Sequence, residues 1–287
     1  MYRNGAFFIL LFFCACCIST AMGQDKDIGQ DPFFIDWQEG PVTGQLGDIG
    51  EIDVPAGYLF TGTEGTLTLL EITENPPSGA ELGTIAPAGD EEWNQWFVIF
   101  EFSPVGYIKN ADQEELDADA LFQSLVEATE EGNKLRRERG WETISLTGWD
   151  ESPYYDPITN NLCWAIRVTS PSGSSTNFST RLLGRQGYIS ADLIIDPAYL
   201  ESALPGYENL IATFRYQSGH QYAEYREGDK VAKYGLTALI VGGAGAAAAK
   251  TGLLAKFWKF IVAGVVAIGA FLKRVIKALT GRSNESA

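Results

Sequence analysis

Arg181 and Arg185 are the residues whose type and spacing most invite chemistry. They stand four apart and are read as lying in one strand. Side chains at even spacing in a strand share a face. Two guanidiniums on one face would clamp a carboxylate or phosphate through paired N–H donors. The competing expectation is that each pairs with a nearby acid such as Asp192. Tyr155, Trp164 and Asn177 lie on or beside the same predicted hairpins. With the two arginines they form the candidate binding surface.

Other reactive residues offer less. His220 is the single histidine, in the polar and aromatic stretch Gly219-His220-Gln221-Tyr222. A catalytic histidine needs a nucleophile and an orienting acid, and nothing local supplies them. A surface position is expected instead. Glu114, Glu115, Asp117 and Asp119 are read as the acidic opening of a helix, because adjacent acids on a helix point in different directions. Asp25 to Asp31 resembles a calcium loop only faintly, lacking the fifth-position ligand and the terminal Glu. There is no Walker A loop, Rossmann glycine fingerprint or His-Glu-x-x-His. No metal and no cofactor is expected, and the chain reads as a binding module before an enzyme. An acid- or Ser/Thr-based envelope hydrolase, with His220 as base, is the alternative.

The elements that must position these groups are antiparallel strands and a few helices. Trp96 to Phe102 alternates as a strand, with Glu101 set among apolar residues. Asp117 to Arg139 is the clearest helix, acidic at its start, basic at its end and stopped by Gly140. Its apolar stripe is Leu121, Leu125, Ala128, Gly132 and Leu135, with Glu130 and Lys134 as an ion pair. Thr63 to Thr73 reads as a helix capped by Thr63, with Leu67 and Leu70 on its apolar side. Ile144 to Trp149, Leu162 to Val168, Asn177 to Leu183 and Tyr188 to Ile195 form a meander, with turns at Tyr155–Asn161, Pro171–Ser174 and Gly184–Gly187. Two short helices follow, Asp196 to Ala203 and Pro205 to Thr213. The fold class is α+β: an antiparallel sheet with flanking helices, followed by a C-terminal helical membrane anchor.

Charge divides the 287 residues into three parts. Residues 24–230 hold 36 acids against 12 bases, while residues 231–287 hold one acid against eight bases. The acidic body excludes a nucleic acid partner. Residues 1–23 read as a signal peptide, with Arg3 before the apolar run Ala6 to Ile18 and cleavage after Gly23. Cys14, Cys16 and Cys17 leave with it, so Cys163 remains as a lone, buried thiol. The tail offers two apolar segments, Tyr234 to Ala249 and Leu253 to Leu272, flanked by lysines and arginines. Residues 234–277 are therefore assigned to the lipid bilayer, as a hairpin crossing twice around Lys250-Thr251-Gly252. A single crossing by the second segment is the competing topology, and it obeys the positive-inside rule better. The expected place is a bacterial inner membrane, with the main domain at 24–230 in the periplasm.

Gly106-Tyr107-Ile108-Lys109, Asp117 to Leu121, Asn133, Arg136, Arg139-Gly140-Trp141, Gly148-Trp149, Tyr155-Asp156, Leu162-Cys163-Trp164, Asn177 to Gly187 and Lys230 to Gly235 form a recognisable series. In these residues the chain resembles the DUF2167 family of uncharacterised bacterial membrane-anchored proteins. The block from Asn177 to Gly187 is the most specific. The resemblance implies membrane anchoring and a label of amylopullulanase regulation, hence a regulator of a glycan-degrading enzyme. It brings no catalytic residues. The combined expectation is a module that binds or scaffolds an envelope protein or glycan.

Overall fold

Period-two alternation of apolar residues builds a sheet with two buried faces. The computed structural model describes residues 34–241, apart from 74, 76, 90–94 and 139. The described residues belong to one unit, Phe33–Ala287. The predicted signal peptide, the Asp25–Asp31 stretch and the tail beyond Val241 lie outside the described residues.

The strands are β1 (Gln38–Glu39), β2 (Val42–Leu46), β3 (Gly50–Val54), β4 (Tyr58–Gly62), β5 (Glu81–Pro87), β6 (Phe97–Ser103), β7 (Ser145–Asp156), β8 (Asn161–Ser170), β9 (Gly173–Leu183), β10 (Tyr188–Ile195) and β11 (Arg215–Tyr216). Eight of them make one antiparallel sheet in the order β1-β4-β5-β6-β10-β9-β8-β7, and β11-β3-β2 make a second, smaller one. The helices are α1 (Thr63–Ile72), α2 (Ala118–Glu138), α3 (Leu200–Ile211) and α4 (Leu236–Ile240).

One face of the large sheet packs on the small sheet and α3. Val98, Phe100, Phe178, Leu182, Ile189 and Leu193 meet Ile52 and Val54 from the small sheet and Tyr207 and Leu210 from α3. The opposite face carries two separate apolar clusters. Leu69 and Leu70 of α1 cover Phe97, Ile99 and Ile194. Leu121 and Leu125 of α2, with Leu236, Leu239 and Ile240 of α4, cover Leu162, Trp164, Ile166 and Val168. Between these two clusters the sheet face is polar, with Glu81, Glu101, Ser190, Arg181 and Asp192 buried there. The α+β class and the meander from β7 to β10 match expectation.

Several local expectations are corrected. Helix α1 is preceded by Gly62, and the Thr63 hydroxyl donates to the Glu81 carbonyl at 2.9 Å instead of capping the helix. Leu67 is exposed while Leu69 and Leu70 are buried. In α2, Lys134 pairs with Glu131 and not with Glu130. Asn133 and Arg136 are buried in α2 alongside Leu121, Leu125 and Gly132. Residues 200–211 form one helix with Pro205 inside it. Burial of Ala203, Tyr207, Leu210 and Ile211 outweighs a proline cost of about 3 kcal/mol. Strand β7 continues to Asp156 through three register shifts. Bulges and a proline are tolerated there because β7 is an edge strand.

The body also continues past residue 230. Tyr107 pairs with Val231 as a parallel bridge, and the Ala232 amide donates to the Tyr107 carbonyl at 2.8 Å. The Asp112 carboxylate accepts from the amides of Leu236 and Thr237, capping the start of α4. Leu236, Leu239 and Ile240 are fully buried. The first part of the predicted apolar segment Tyr234–Ala249 is therefore core of the folded body. Among the described residues, no helix is long and apolar enough to cross a membrane.

Candidate functional site

The β7–β8 turn and the chain after α3 form the two walls of a groove of about 540 Å³. One wall is fixed by Asp156, whose carboxylate accepts from the Ile158 amide at 2.9 Å and the Thr159 hydroxyl at 2.7 Å. That turn needs a left-handed residue, and Asn160 supplies it with φ 57°. The Asn160 side chain is then held by the Tyr155 hydroxyl at 2.9 Å, which in turn accepts from the Asn110 amide at 3.2 Å.

The other wall runs from Phe214 to Ala223. Tyr216 anchors it to the sheet: its hydroxyl donates to the Leu182 carbonyl at 2.6 Å and accepts from the Ile189 amide at 3.0 Å. Its ring passes so close to Gly184 that a Cβ there would lie 2.7 Å from Tyr216 Cζ. The Glu224 carboxylate accepts from the amides of Gly219 and Gln221, stiffening the next turn. Tyr222 stacks on Tyr107 with ring centroids 4.5 Å apart and donates its hydroxyl to the Ile108 carbonyl. Burial pushes the phenols of Tyr155, Tyr216 and Tyr222 up, so they stay neutral donors.

The floor and rim are mostly uncharged. Arg215 is spent on Glu51 and Asp53, at 3.0 and 2.7 Å. Its hydrogen bonds hold the Asp53 carboxyl below the usual carboxylate range. The side-chain amides of Asn161 and Gln217 also line the groove, and neither side chain has a hydrogen-bond partner among the described residues. The groove thus offers unspent amide donors and acceptors beside aromatic rings.

The five residues expected to form a binding surface are dispersed. Trp164, Asn177 and Arg181 are buried on the sheet face that α2 covers. Arg181 donates to Asp192 at 2.9 Å, and its guanidinium lies 4.7 Å over the Trp164 ring. Arg185 falls outside β9, in the hairpin turn, where both its Nε and Nη2 reach Asp229. That pairing pulls Asp229 down to about 2. Each arginine has its own acid, so the two do not act as one anion clamp. Tyr155 alone of the five touches the groove, through Asn160. His220 is half-buried, with Nδ1 enclosed and without a hydrogen-bond partner among the described residues. Cys163 is a buried free thiol whose pKa burial raises. Among the described residues, no group of three or more His, Cys, Asp or Glu is placed to hold a metal.

A family model described as "Protein of unknown function (DUF2167)" matches residues 38–273. The chain belongs to the DUF2167 family. The match starts at β1 and covers the groove, both sheets and α4. No curated protein matches this DUF2167 chain. Among solved structures it is similar to cyanobacterial PsbP (CyanoP) from Synechocystis sp. PCC 6803, with 11% identity and a TM-score of 0.39 over 68% of this chain and 98% of that one.

The groove was signalled in the sequence only by the polar, aromatic run at 219–222. Asn161 and Gln217 carry no pattern that marks them. They become neighbours because Tyr216 ties the chain after α3 to the end of β9, a contact without local sequence signature.

Proposed function

We propose that this DUF2167 protein is a membrane-anchored envelope module that binds a neutral glycan in the groove between the β7–β8 turn and residues 214–223. The observation that carries this reading is the pair of unspent amides, Asn161 and Gln217, beside Phe214 and Tyr222 in a groove whose charges are already paired. A primary amide both donates and accepts, as sugar hydroxyls do. Aromatic rings cover the apolar faces of sugar rings, burying area without adding charge. A protein partner would call for a desolvated apolar centre, which these amides do not supply.

The anchor is assigned to residues 253–272, with the body on the outer side of the inner membrane. Residues 234–241 are used in the core, which leaves eight residues before Lys250. Crossing a bilayer takes ~20 helical residues. This argues for one crossing, and it replaces the hairpin expected from the apolar pattern alone. One crossing leaves Lys273, Arg274, Lys277 and Arg282 in the cytoplasm, as the positive-inside rule favours.

The binding reading is tested by titrating the full chain with two classes of neutral oligosaccharide, N-acetylglucosamine oligomers and α-glucans. Saturable binding that falls about tenfold in Asn161→Ala and in Gln217→Ala supports it, each amide contributing hydrogen bonds of ordinary strength. Binding unaffected by both substitutions, or none to either class, overturns it. Cleavage of a bound oligosaccharide would instead favour the hydrolase alternative.

A further inference from the structure

The polar strip between the α1 and α2 clusters is a row across four strands. Glu81 of β5 stands opposite Glu101 of β6, Glu101 opposite Ser190 of β10, and Ser190 opposite Arg181 of β9. Their exposures are 4%, 7%, 3% and 6%. Asp192, two residues beyond Ser190 on the same face, is 8% exposed. Three carboxyl groups therefore share a buried strip with one guanidinium.

The hydrogen bonds decide how charge is shared. Asp192 takes Arg181 Nη1 at 2.9 Å and the Ser179 hydroxyl at 2.6 Å, which suits a carboxylate. Glu81 accepts from the backbone amides of Ser78 and Gly79, the latter at 2.8 Å, which also suits a carboxylate. Glu101 has neither. Its hydrogen-bond partner is the Ser78 hydroxyl, 2.6 Å from Oε1. That hydroxyl also lies 3.0 Å from Glu81 Oε1, and it accepts from the Ala80 amide at 3.1 Å. A serine hydroxyl has one proton and two lone pairs. It cannot donate to two carboxylates, and like charges directly opposite on neighbouring strands repel.

We infer that Glu101 is a neutral carboxylic acid in the folded protein, donating its proton to Ser78 Oγ while Ser78 donates to Glu81, and that this proton makes the joint between the 78–81 turn and β6 pH-sensitive. Every site on the hydroxyl is then used: one proton given, two accepted. Among the described residues the charged and titratable groups facing Glu101 are Glu81 from β5, Asp192 and Tyr188 from β10, and Arg181 from β9. From helix α1, Leu69 and Leu70 pack against Phe97 and Ile99 of β6. Burial is the largest influence and pushes Glu101 up to about 8, with Asp192 and Glu81 adding to it and the Ser78 hydrogen bond and Arg181 opposing.

The sign follows from linkage. The folded carboxyl titrates above the unfolded one, so the folded state binds the extra proton between the ordinary glutamate value of 4.5 and about 8. Stability from this group is fully present below 4.5, declines through the window, and is flat above it. Gln at this position mimics the protonated acid, since its N–H can donate to Ser78. Unfolding of full-length wild type and Glu101→Gln, measured side by side from pH 4.5 to 9, tests the inference. The ratio of folding constants, variant over wild type, should rise by about tenfold per pH unit across the window and level off above it. A ratio independent of pH would overturn it. Should the variant not fold, infrared spectra of wild type decide. A protonated-carboxyl stretch present at pH 6 and lost by pH 9 supports the inference, and its absence at pH 6 overturns it.

Discussion

Asn133 shows how a polar side chain can be as structural as a leucine. Its Nδ2 donates to the Ile144 carbonyl at 2.8 Å and its Oδ1 accepts from the Ile144 amide at 2.9 Å, all of it buried. It closes the path from α2 into β7 as a strand partner would. Asn133→Ala strands both Ile144 groups, and urea unfolding should show a loss of about 3 kcal/mol. Arg181 and Glu101 belong to the same scale. The two were visible in the sequence as a basic residue and an acidic one in apolar strands. Their partners were less so. Asp192 could be named for Arg181 because it sits across a hairpin with readable turns. The Ser78 link to Glu101 could not, because it depends on register between β5 and β6 and on a turn 23 residues away.

At the scale of elements, period and turn chemistry were legible where one face was buried and the turn was tight. Strand β10 and the end of β9 lie where alternation puts them, and Gly140 follows α2 in the left-handed conformation, φ 70°. Two kinds of element were not legible. Pro205 suggested a break, but one buried face carries α3 through it. Pro205→Ala should restore an amide donor without disturbing that face and raise stability by about 1–2 kcal/mol in thermal unfolding. Helix α4 is the second kind. Its apolar residues read as lipid-facing, since a local pattern cannot distinguish burial in protein from burial in bilayer. Leu236 is fully buried among α2 and β8 residues. Leu236→Ala should therefore cost the folded body about 2–4 kcal/mol in urea unfolding. A purely lipid-facing leucine would leave that transition unmoved.

For the whole molecule, the described residues of an acidic α+β body run as far as α4 and Val241, and the sequence beyond them is basic and apolar. On the single-crossing topology, a reporter fused after Ala287 should show β-galactosidase activity and no alkaline phosphatase activity; the reverse would restore the hairpin. The proposed function rests on the groove, where chain segments about 55 residues apart in sequence meet, Tyr216 tying one of them to the end of β9. Site and sequence part company there: the conspicuous arginines are bound to acids, and the amides left free have no motif. Hydrogen exchange of the full chain with and without a bound envelope oligosaccharide tests the central claim most directly. Protection confined to the β7–β8 turn at 157–161 and to residues 214–223 is the predicted result. Protection elsewhere on the body, with these two segments exchanging as in the free protein, would contradict it.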